Sequence, residues 1–425
     1  MTYLKMCYNE LLSRKLRTIV ISKKNTHKNI AVIGAGQIGM LAALNLARKG
    51  HSVSLIGPHA NVDELRTTTI MMPTIHMLQT LNIWNTIKRY AAALYSIRII
   101  DITSQLVRAP TVNFHSTEIG EKAFGYNVPN LKLNDALINA IKCTPNIIRF
   151  FSSAKSFDHQ KDHICITLED DKVIQTPLIV AADGRHSPTR AAAGIITKQW
   201  NYPQIALVSN FLHNLPHQNI STEFYTKDGL FTQVPLPGNK SSLIWIVTPS
   251  RAEKILNMKL EAIAKMIENQ MQSLLGEIKI ETKIQTWPLL GLIPNLFAAK
   301  RIILVGEAAH VFPPIGAQGF NLGMRDIQTL VDLIPDEISA ADFKKITTNY
   351  NQYRKCDIFI RSGTVHALSY TFLSNLLPVH ILRSAGLELL RNCSPLRNLF
   401  MREGMNYGYG LKAIVSMFTK KSPNN

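Results

Sequence analysis

The 425-residue sequence predicts an interleaved α/β fold, and three glycine-containing turns carry that prediction. The first turn follows the apolar run NIAVI at 29–33, opens a helical pattern and leads to a second apolar run at 52–56. The other two turns follow the runs LIVA at 178–181 and RIILV at 301–305. Short apolar runs of this kind are typical of buried parallel strands. We therefore expect a Rossmann-like domain, accompanied by a β-rich domain and C-terminal helices.

The composition excludes several classes of protein. Hydrophobic residues make up 46% of the chain, which is enough for a large core and argues against a disordered or disulfide-stapled chain. The net charge is +18, but the basic residues are scattered without a dense block, so we predict no nucleic-acid partner. The five cysteines form no C-x-x-C pair, which predicts neither a zinc ribbon nor a disulfide framework and favours a reducing, cytosolic setting.

The first glycine-rich turn has the spacing of a dinucleotide-binding loop. Gly34, Gly36 and Gly39 fit G-x-G-x-x-G between a strand and a helix. The first glycine permits the tight turn, the second lets the backbone approach a pyrophosphate, and the third lets helix and strand pack closely. The helix that begins there would direct free N–H groups and its positive dipole end toward the phosphates. The turn predicts a dinucleotide, without choosing between a flavin and a nicotinamide.

An acidic residue that usually accompanies this motif is missing. The second strand ends at Gly57 and Pro58, where an acid would be expected to hold a ribose hydroxyl. Asp63 or Glu64, in the following loop, could take that role or could be solvated loop acids.

The two later turns carry polar residues at strand ends, which is where α/β enzymes place function. Asp183 and Gly184 follow the strand at 178–181, and Gly306 and Glu307 follow the strand at 301–305. The second of these turns leads through the loop HVFPPIGAQGFN at 310–321 into a helix. That loop lacks the G-K-[ST] ending of a phosphate loop, so ATP hydrolysis is not predicted.

Together these segments resemble the FAD-dependent aromatic hydroxylases of the p-hydroxybenzoate hydroxylase type, and most closely their ubiquinone-biosynthesis branch. The resemblance runs from about residue 29 to about residue 400 and includes HNLPHQNISTEFYTKDG and VPLPG. It implies the following division of the chain: a basic N-terminal extension at 1–28, an FAD-binding domain at 29–200 with substrate-domain insertions, a β-rich substrate domain at 201–283, the second part of the FAD-binding domain at 284–345, and a helical C-terminal region at 346–425.

The resemblance also implies a set of cofactor-binding residues. Arg66 matches an arginine that the family places near the ribityl and phosphate region of the flavin. Glu307 stands where the family usually has an aspartate that accepts a hydrogen bond from a ribityl hydroxyl. The full set is Gly34, Gly36, Gly39, Arg66, Asp183, Gly184, Gly306, Glu307, Gly316, Gln318, Gly319 and Asn321. The candidates for the substrate pocket are Phe231, Val234, Pro235, Trp287, Pro288, His310, Pro313 and Pro314, each of which could equally be a core or loop residue.

The implied reaction is hydroxylation of the aromatic ring of a polyprenylated ubiquinone precursor. NAD(P)H would reduce FAD, O2 would add at flavin C4a, and the hydroperoxide would transfer one oxygen atom to the ring. We assign no general base, and we find no metal-ligand motif such as H-E-x-x-H. The alternatives are an FAD-dependent oxidoreductase acting on another aromatic or lipid, and a non-catalytic FAD-binding member of a biosynthetic complex.

A membrane-borne phenolic lipid would bring the protein to a membrane. Basic residues are interleaved with apolar ones in the C-terminal region, which favours contact with an anionic surface over helices that merely pack on the body. These basic residues are Arg383, Arg391, Arg397, Arg402, Lys412, Lys420 and Lys421. We expect a cytoplasmic protein attached peripherally to the inner face of the cytoplasmic membrane, where other ubiquinone-biosynthesis proteins could be its partners. The N-terminal extension could also lie on the membrane or could be unstructured.

Overall fold

The computed structural model describes residues 29–59, 64–103, 108–227, 229–314, 316–338, 342–373 and 377–405, and within these it describes all side chains except those of 364–373 and 377–379. The N-terminal extension at 1–28, Asp63 and the three C-terminal lysines lie outside these residues.

The strands are β1 (Asn29–Ile33), β2 (Ser52–Ile56), β3 (Thr67–Met71), β4 (Ala92–Leu94), β5 (Ser96–Asp101), β6 (Val112–His115), β7 (Gly125–Pro129), β8 (Ile147–Phe150), β9 (Ala154–His159), β10 (Ile164–Leu168), β11 (Val173–Thr176), β12 (Leu178–Ala181), β13 (Thr197–His213), β14 (Ile220–Thr226), β15 (Gly229–Leu236), β16 (Lys240–Val247), β17 (Ile278–Ile280), β18 (Gln285–Pro294), β19 (Ala298–Ala299) and β20 (Ile302–Leu304). The α-helices are α1 (Gln37–Arg48), α2 (Met72–Thr80), α3 (Trp84–Ile87), α4 (Asn130–Lys142), α5 (Pro188–Ala192), α6 (Pro249–Leu256), α7 (Leu260–Gln270), α8 (Gln318–Leu333), α9 (Asp342–Leu373), α10 (Leu377–Asn392) and α11 (Ser394–Met405).

The first sheet has the strand order β19-β20-β12-β1-β2-β8. Its central strands are parallel, with Ile30 beside both Leu178 and Val53, and β12 pairs in parallel with β20. The predicted strands at 29–33, 52–56, 178–181 and 301–305 are therefore neighbours in one sheet. Their carboxyl ends lie at one edge, so the three glycine-containing turns come together there.

The second large sheet has the order β17-β13-β16-β15-β14-β5-β6, with β18 also paired to β13. Its strands come from a wider stretch than the predicted 201–283, because β5, β6 and β18 join it from outside that range. The antiparallel pairs alternate their side chains between two faces. Small sheets of order β11-β10-β9 and β3-β7-β4 complete the strands of the described residues.

Both faces of this second sheet are buried. One face, here called the α6–α7 face, carries Phe224, Phe231 and Trp245 and packs on Ile255 and Ile263. The other, here called the inner face, carries residues that pack with the C-terminal helices α10 and α11, namely Ala206, Tyr225, Leu230 and Ile246 from the sheet with Leu387 and Met401 from the helices. The inner face is thus the one covered by the C-terminal region.

The C-terminal helices pack on both domains. Tyr350 of α9 is fully buried and donates a hydrogen bond to the Leu304 carbonyl oxygen at 2.8 Å, which attaches this helix to β20. Among the residues that the structure describes, no helix is both long enough and apolar enough to cross a membrane.

Candidate cofactor and active site

The three glycines of the first turn meet different surroundings. A Cβ at Gly34 would lie 2.2 Å from the Ala182 carbonyl oxygen, and one at Gly39 would lie 1.8 Å from the Gly34 carbonyl oxygen. These two glycines are therefore required by close packing. Gly36, the N-cap of α1, is different, because a Cβ there would have no atom of the described residues within 4 Å. Of the three glycines, only Gly36 leaves its side of the turn open to a ligand.

Near the end of β2, where an acidic residue would be expected, the structure places the basic side chain of Arg149. The Arg149 guanidinium donates to the carbonyl oxygens of Leu55 at 3.1 Å and Pro58 at 2.7 Å, and its Cζ lies 4.5 Å from the centre of the Phe151 ring. Burial lowers the pKa of Arg149. The guanidinium thus holds the carbonyl oxygens before and after Gly57, and nothing in the sequence pattern indicates this role for Arg149.

Glu64, one of the two acids considered for the ribose, is engaged elsewhere. Its Oε1 accepts from Arg66 Nε at 2.7 Å. Burial opposes ionisation of Glu64, but the hydrogen bonds and charge of Arg66 outweigh it and hold the pKa of Glu64 below its ordinary value. Arg66 in turn lies over the Trp287 ring at 4.2 Å. Arg66 is thereby placed between the FAD-binding part of the chain and β18 of the second sheet.

The turn after β12 is held by its own polar residues. Asp183 Oδ2 accepts from the Thr189 backbone N–H at 3.1 Å, while Asp183 Oδ1 is buried and has no hydrogen-bond partner among the described residues. Arg190 is buried and donates to the carbonyl oxygens of Ala308 at 2.9 Å and Arg185 at 2.8 Å. Arg190 therefore joins this turn to the turn after β20.

The turn after β20 packs against the first helix. Gly306 has a positive φ of 62°, and a Cβ there would lie 3.0 Å from Ile38 Cγ2. A Cβ at Gly323 of α8 would lie 2.7 Å from Ile38 Cδ1. Glu307 is half exposed, and its Oε2 lies 3.4 Å from Arg185 Nε. The three turns are thus in contact, with the Glu307 carboxylate at their solvent-facing side.

A buried charge cluster lies directly behind this turn. Asp326 Oδ2 accepts from the Gly306 backbone N–H and from His310 Nε2, each at 2.8 Å, and Asp326 Oδ1 accepts from Arg354 Nε at 2.7 Å. Arg354 also donates to Asp357 Oδ2 at 2.7 Å. Although burial opposes the charge of Arg354, the two aspartates raise its pKa above the ordinary value. His310, a pocket candidate, is therefore a buried partner of Asp326.

The same cluster reaches the loop before α8. Asp357 Oδ1 accepts from Arg361 Nε at 3.0 Å, and Arg361 donates from Nη1 to Gln318 Oε1 at 2.6 Å. Burial opposes ionisation of Asp357, but Arg354, Arg325 and Arg361 lower its pKa below the ordinary value. A chain of charged groups thus connects α9 with both the Gly306 turn and the first residue of α8. No motif in the sequence indicates this connection.

The loop before α8 has one buried and several accessible residues. Pro313 is buried, whereas Pro314, Gly316 and Gly319 are exposed. Gly316 has a φ of 65°, and a Cβ at Gly319 would have no atom of the described chain within 4 Å. The N-terminus of α8 is therefore open on the side of Gly319.

The Asn321 side chain joins α8 to β3 and α2. Its Oδ1 accepts from the Met71 backbone N–H and the Thr74 hydroxyl, both at 3.0 Å. Its Nδ2 donates to the carbonyl oxygens of Thr69 at 2.9 Å and Ala317 at 2.8 Å. These bonds occupy the whole amide, so Asn321 acts on the site by holding β3 and α2 against α8.

The remaining pocket candidates lie on different faces of the second sheet. Phe231 is fully buried on the α6–α7 face, with its ring centre 5.4 Å from that of Trp245, so its side chain belongs to that core. Val234, three residues further along β15, lies on the opposite, inner face. The Pro235 carbonyl oxygen accepts from Asn127 Nδ2 at 3.0 Å, which joins the end of β15 to β7. The junction of the two domains is therefore at the end of β15.

These features fit the cofactor FAD. The open backbone at Gly36 stands at the N-terminus of a helix with no acidic residue in its first turn, which suits a pyrophosphate. The buried Asp183 Oδ1, which has no partner among the described residues, and the accessible Glu307 carboxylate can accept hydrogen bonds from hydroxyl groups. The open N-terminus of α8 can face a developing negative charge. The arrangement is that of a flavin-binding α/β protein.

Comparison with known proteins agrees with this class. Residues 27–355 match the family described as FAD binding domain, and the chain belongs to that family. The chain is 28% identical to 3-demethoxyubiquinol 3-hydroxylase of Escherichia coli, over 91% of this chain and 100% of that protein. It is 27% identical to ubiquinone hydroxylase UbiL of Rhodospirillum rubrum, over 89% of each chain.

A solved structure shows the same fold. The protein PqsL, described as a probable FAD-dependent monooxygenase from Pseudomonas aeruginosa, superimposes with a TM-score of 0.71 at 18% identity, covering 85% of this chain and 99% of that chain. The predicted fold, a Rossmann-like FAD-binding domain with a β-sheet domain and C-terminal helices, is confirmed.

Glu307→Ala is expected to weaken FAD binding about tenfold or more, because a hydrogen bond to a charged group contributes about 1.5–3 kcal/mol. The measurement is the dissociation constant of FAD from fluorescence quenching. Arg185→Ala is the control, since it removes the 3.4 Å partner of Glu307 and leaves the carboxylate. Equal FAD affinity of Glu307→Ala and the unchanged protein would remove Glu307 from the site.

Proposed function

We propose that this protein is an FAD-dependent monooxygenase that hydroxylates the aromatic ring of a polyprenylated ubiquinone precursor with O2 and NAD(P)H. The observation that carries the proposal is the joint match of an FAD-binding family over residues 27–355 and of relatives named ubiquinone hydroxylases over about nine-tenths of the chain. The joined turns, the open Gly36 backbone and the enclosed inner face of the second sheet support it.

In this proposal each part of the site has a task. Gly34 permits the tight turn, Gly36 admits the FAD pyrophosphate to the N-terminus of α1, and Glu307 accepts a hydrogen bond from a ribityl hydroxyl. FAD, when bound, accepts a hydride from NAD(P)H and activates O2. The N-terminus of α8 stabilises negative charge on the pyrimidine side of the flavin. The second sheet and the C-terminal helices exclude water from the substrate, which limits wasteful release of hydrogen peroxide.

The test uses purified, FAD-loaded protein, NADH or NADPH, a prenylated phenol and isotopically labelled O2. We expect NAD(P)H oxidation to accelerate when the phenol is added, and mass spectrometry to find a product with one labelled oxygen atom. Oxidation of NAD(P)H with release of hydrogen peroxide alone, across a panel of prenylated phenols, would argue for another substrate. FAD that stays oxidised with both donors would argue for the non-catalytic alternative.

We further propose that α10 contacts the membrane in which such a substrate resides. An apolar stripe follows the outer side of this helix, formed by Ile381, Leu382, Ala385, Gly386 and Leu389. The side chains of Leu382 and Leu389 are 71% and 55% exposed, whereas Leu387 faces the protein. A helix that packs on the body through one face and exposes leucines on the other suits an interfacial position.

Two of the basic residues expected to face the membrane turn inward instead. Arg383 lies 3.0 Å from Asp101 Oδ2, and both side chains are buried. Arg397 pairs with Glu118 at 2.6 Å and donates to the carbonyl oxygen of Arg391 at 2.7 Å. Their charges are neutralised by the protein, so the proposed contact of α10 depends mainly on apolar burial.

The double variant Ile381→Glu/Leu382→Glu is expected to lose at least about tenfold in binding to vesicles, because each buried leucine-sized side chain contributes about 1.5–3 kcal/mol. The measurement is co-sedimentation with vesicles of phosphatidylethanolamine and phosphatidylglycerol. Ile196→Glu is the matched control, since Ile196 is also exposed, at 72%, but lies directly before β13 and not on α10. If Ile381→Glu/Leu382→Glu and Ile196→Glu sediment alike, α10 is not the contact.

A further inference from the structure

Glu223 is a carboxylic acid in the middle of an apolar wall. It lies on β14 directly beside Thr232 of β15 and Ile99 of β5. It alternates with Phe224, which belongs to the α6–α7 face, and shares the inner face with Tyr225. Its neighbours on that face belong to the apolar cluster of Ile97, Ile99, Tyr225, Leu230, Ile244 and Ile246.

The surroundings leave this acid unpaired yet accessible. Among the residues that the structure describes, none forms a hydrogen bond or ion pair with the Glu223 carboxyl group. Burial raises the pKa of Glu223 to about 7. The residue nevertheless keeps part of its surface accessible, unlike Thr222 and Phe224 on either side. A ligand on this face of the sheet can therefore contact Glu223, although most of the residue is enclosed by the protein.

Glu223 also lies near the junction between the second sheet and β7. The domain junction is at Pro235, whose carbonyl oxygen accepts from Asn127 of β7. Thr232, directly opposite Glu223, precedes Pro235 by three residues, which is about 10 Å at about 3.3 Å per residue of strand. A phenol whose hydroxyl meets Glu223 can therefore extend its ring toward the junction.

The other ionisable groups around the inner face do not neutralise Glu223. Tyr225 follows it on β14, and burial followed by the charge of Glu223 raises the pKa of Tyr225. Asp101 at the end of β5 is paired with Arg383 of α10, and the Arg383 guanidinium lies 5.7 Å from the Tyr225 ring centre. His380 is buried one turn before Arg383. The positive charge of Arg383 is thus already matched by Asp101.

We propose that Glu223 is a catalytic base that binds the phenolic hydroxyl of the substrate and accepts its proton. The inference rests on the proposed function and adds to it a residue for which the family resemblance implied no role. The phenol O–H bond breaks, a carboxyl O–H bond forms on Glu223, and the oxygen electron pair is released into the ring. The ring becomes a better nucleophile toward the oxygen that it receives. The proton returns to the phenolic oxygen when the product leaves, so no electron is gained or lost by Glu223.

The first test measures proton transfer without turnover. The probe is 4-nitrophenol, whose ionised form has a distinct absorption band, titrated with pH on FAD-loaded protein in the absence of NAD(P)H. We expect the bound probe to show the ionised band at higher pH in the unchanged protein than in Glu223→Gln, because the Glu223 carboxylate disfavours a second negative charge on the phenol that it contacts. Glu223→Asp should shift the band in the same direction as the unchanged protein. Glu261→Gln, an exposed acid on α7, is the control and should behave as the unchanged protein.

The second test measures hydroxylation against pH. For the unchanged protein, kcat/KM should rise through an apparent pKa near 7 as Glu223 loses its proton, and Glu223→Gln should lose this limb with about 100-fold lower kcat/KM. FAD content should not change. Bound 4-nitrophenol that ionises alike in Glu223→Gln and the unchanged protein would overturn the assignment. Because the binding test requires no reduction by NAD(P)H, its outcome is separate from whether the protein hydroxylates a ubiquinone precursor.

Discussion

Gly36→Val is expected to abolish FAD binding while leaving the protein folded. A Cβ at Gly36 would meet no atom of the described residues within 4 Å, so the valine side chain would enter the space assigned to the pyrophosphate. Loss of two charge-assisted hydrogen bonds, at about 1.5–3 kcal/mol each, predicts at least about 100-fold weaker binding. Flavin absorbance per chain after desalting measures the loss, and circular dichroism measures the fold.

Substitutions at two other glycines distinguish a loss of cofactor binding from a loss of packing. Gly39→Ala should destabilise the protein itself, because its Cβ would lie 1.8 Å from the Gly34 carbonyl oxygen. Gly404→Val should leave both properties unchanged, because Gly404 is exposed and a Cβ there would have none of the described atoms within 4 Å. A yellow, fully loaded Gly36→Val protein would disprove the assignment of the first turn to FAD.

Asp326→Ala is expected to give the largest loss of stability, about 3–5 kcal/mol, because it removes one of the two aspartates that neutralise the buried Arg354. Asp326 is fully buried and accepts hydrogen bonds from Gly306, His310 and Arg354. The change should also loosen the Gly306 turn, so FAD should bind more weakly. The measurements are the denaturation midpoint of the apoprotein and the dissociation constant of FAD.

Asp326→Asn is the matched variant, since the amide keeps the size and one acceptor oxygen but removes the charge. We expect it to be destabilised less than Asp326→Ala. Lys345→Ala, an exposed change on α9, serves as the control. If Asp326→Ala unfolds at the denaturant concentration of the unchanged protein, the cluster does not hold the turn.

Much of the fold follows from local sequence signals. The apolar runs before the three turns become β1, β12 and β20, and the pattern after Gly36 becomes α1. These elements are predictable because buried parallel strands and glycine-requiring turns depend on neighbouring residues. The family resemblance supplied the order of the domains, which is visible only when the three motifs are considered together.

The buried charges could not be predicted in this way. Asp326, Arg354 and Arg361 lie on helices where charged residues ordinarily face solvent, and their pairing depends on how α8 and α9 meet. Glu223 alternates with apolar residues as a solvent-facing residue of a strand would, yet helices cover its side of the sheet. The basic and apolar pattern of the C-terminal region likewise predicted that Arg383 would face a membrane. In the structure Arg383 instead pairs with Asp101.

The most direct measurement is mass spectrometry of the quinone lipids from cells with and without this gene. We expect cells that lack the gene to accumulate a prenylphenol short of one ring hydroxyl, and the gene to restore the mature quinone. The Gly36→Val gene should fail to restore it although its protein is present. An unchanged quinone profile in cells that contain no second hydroxylase for that step would contradict the proposed substrate.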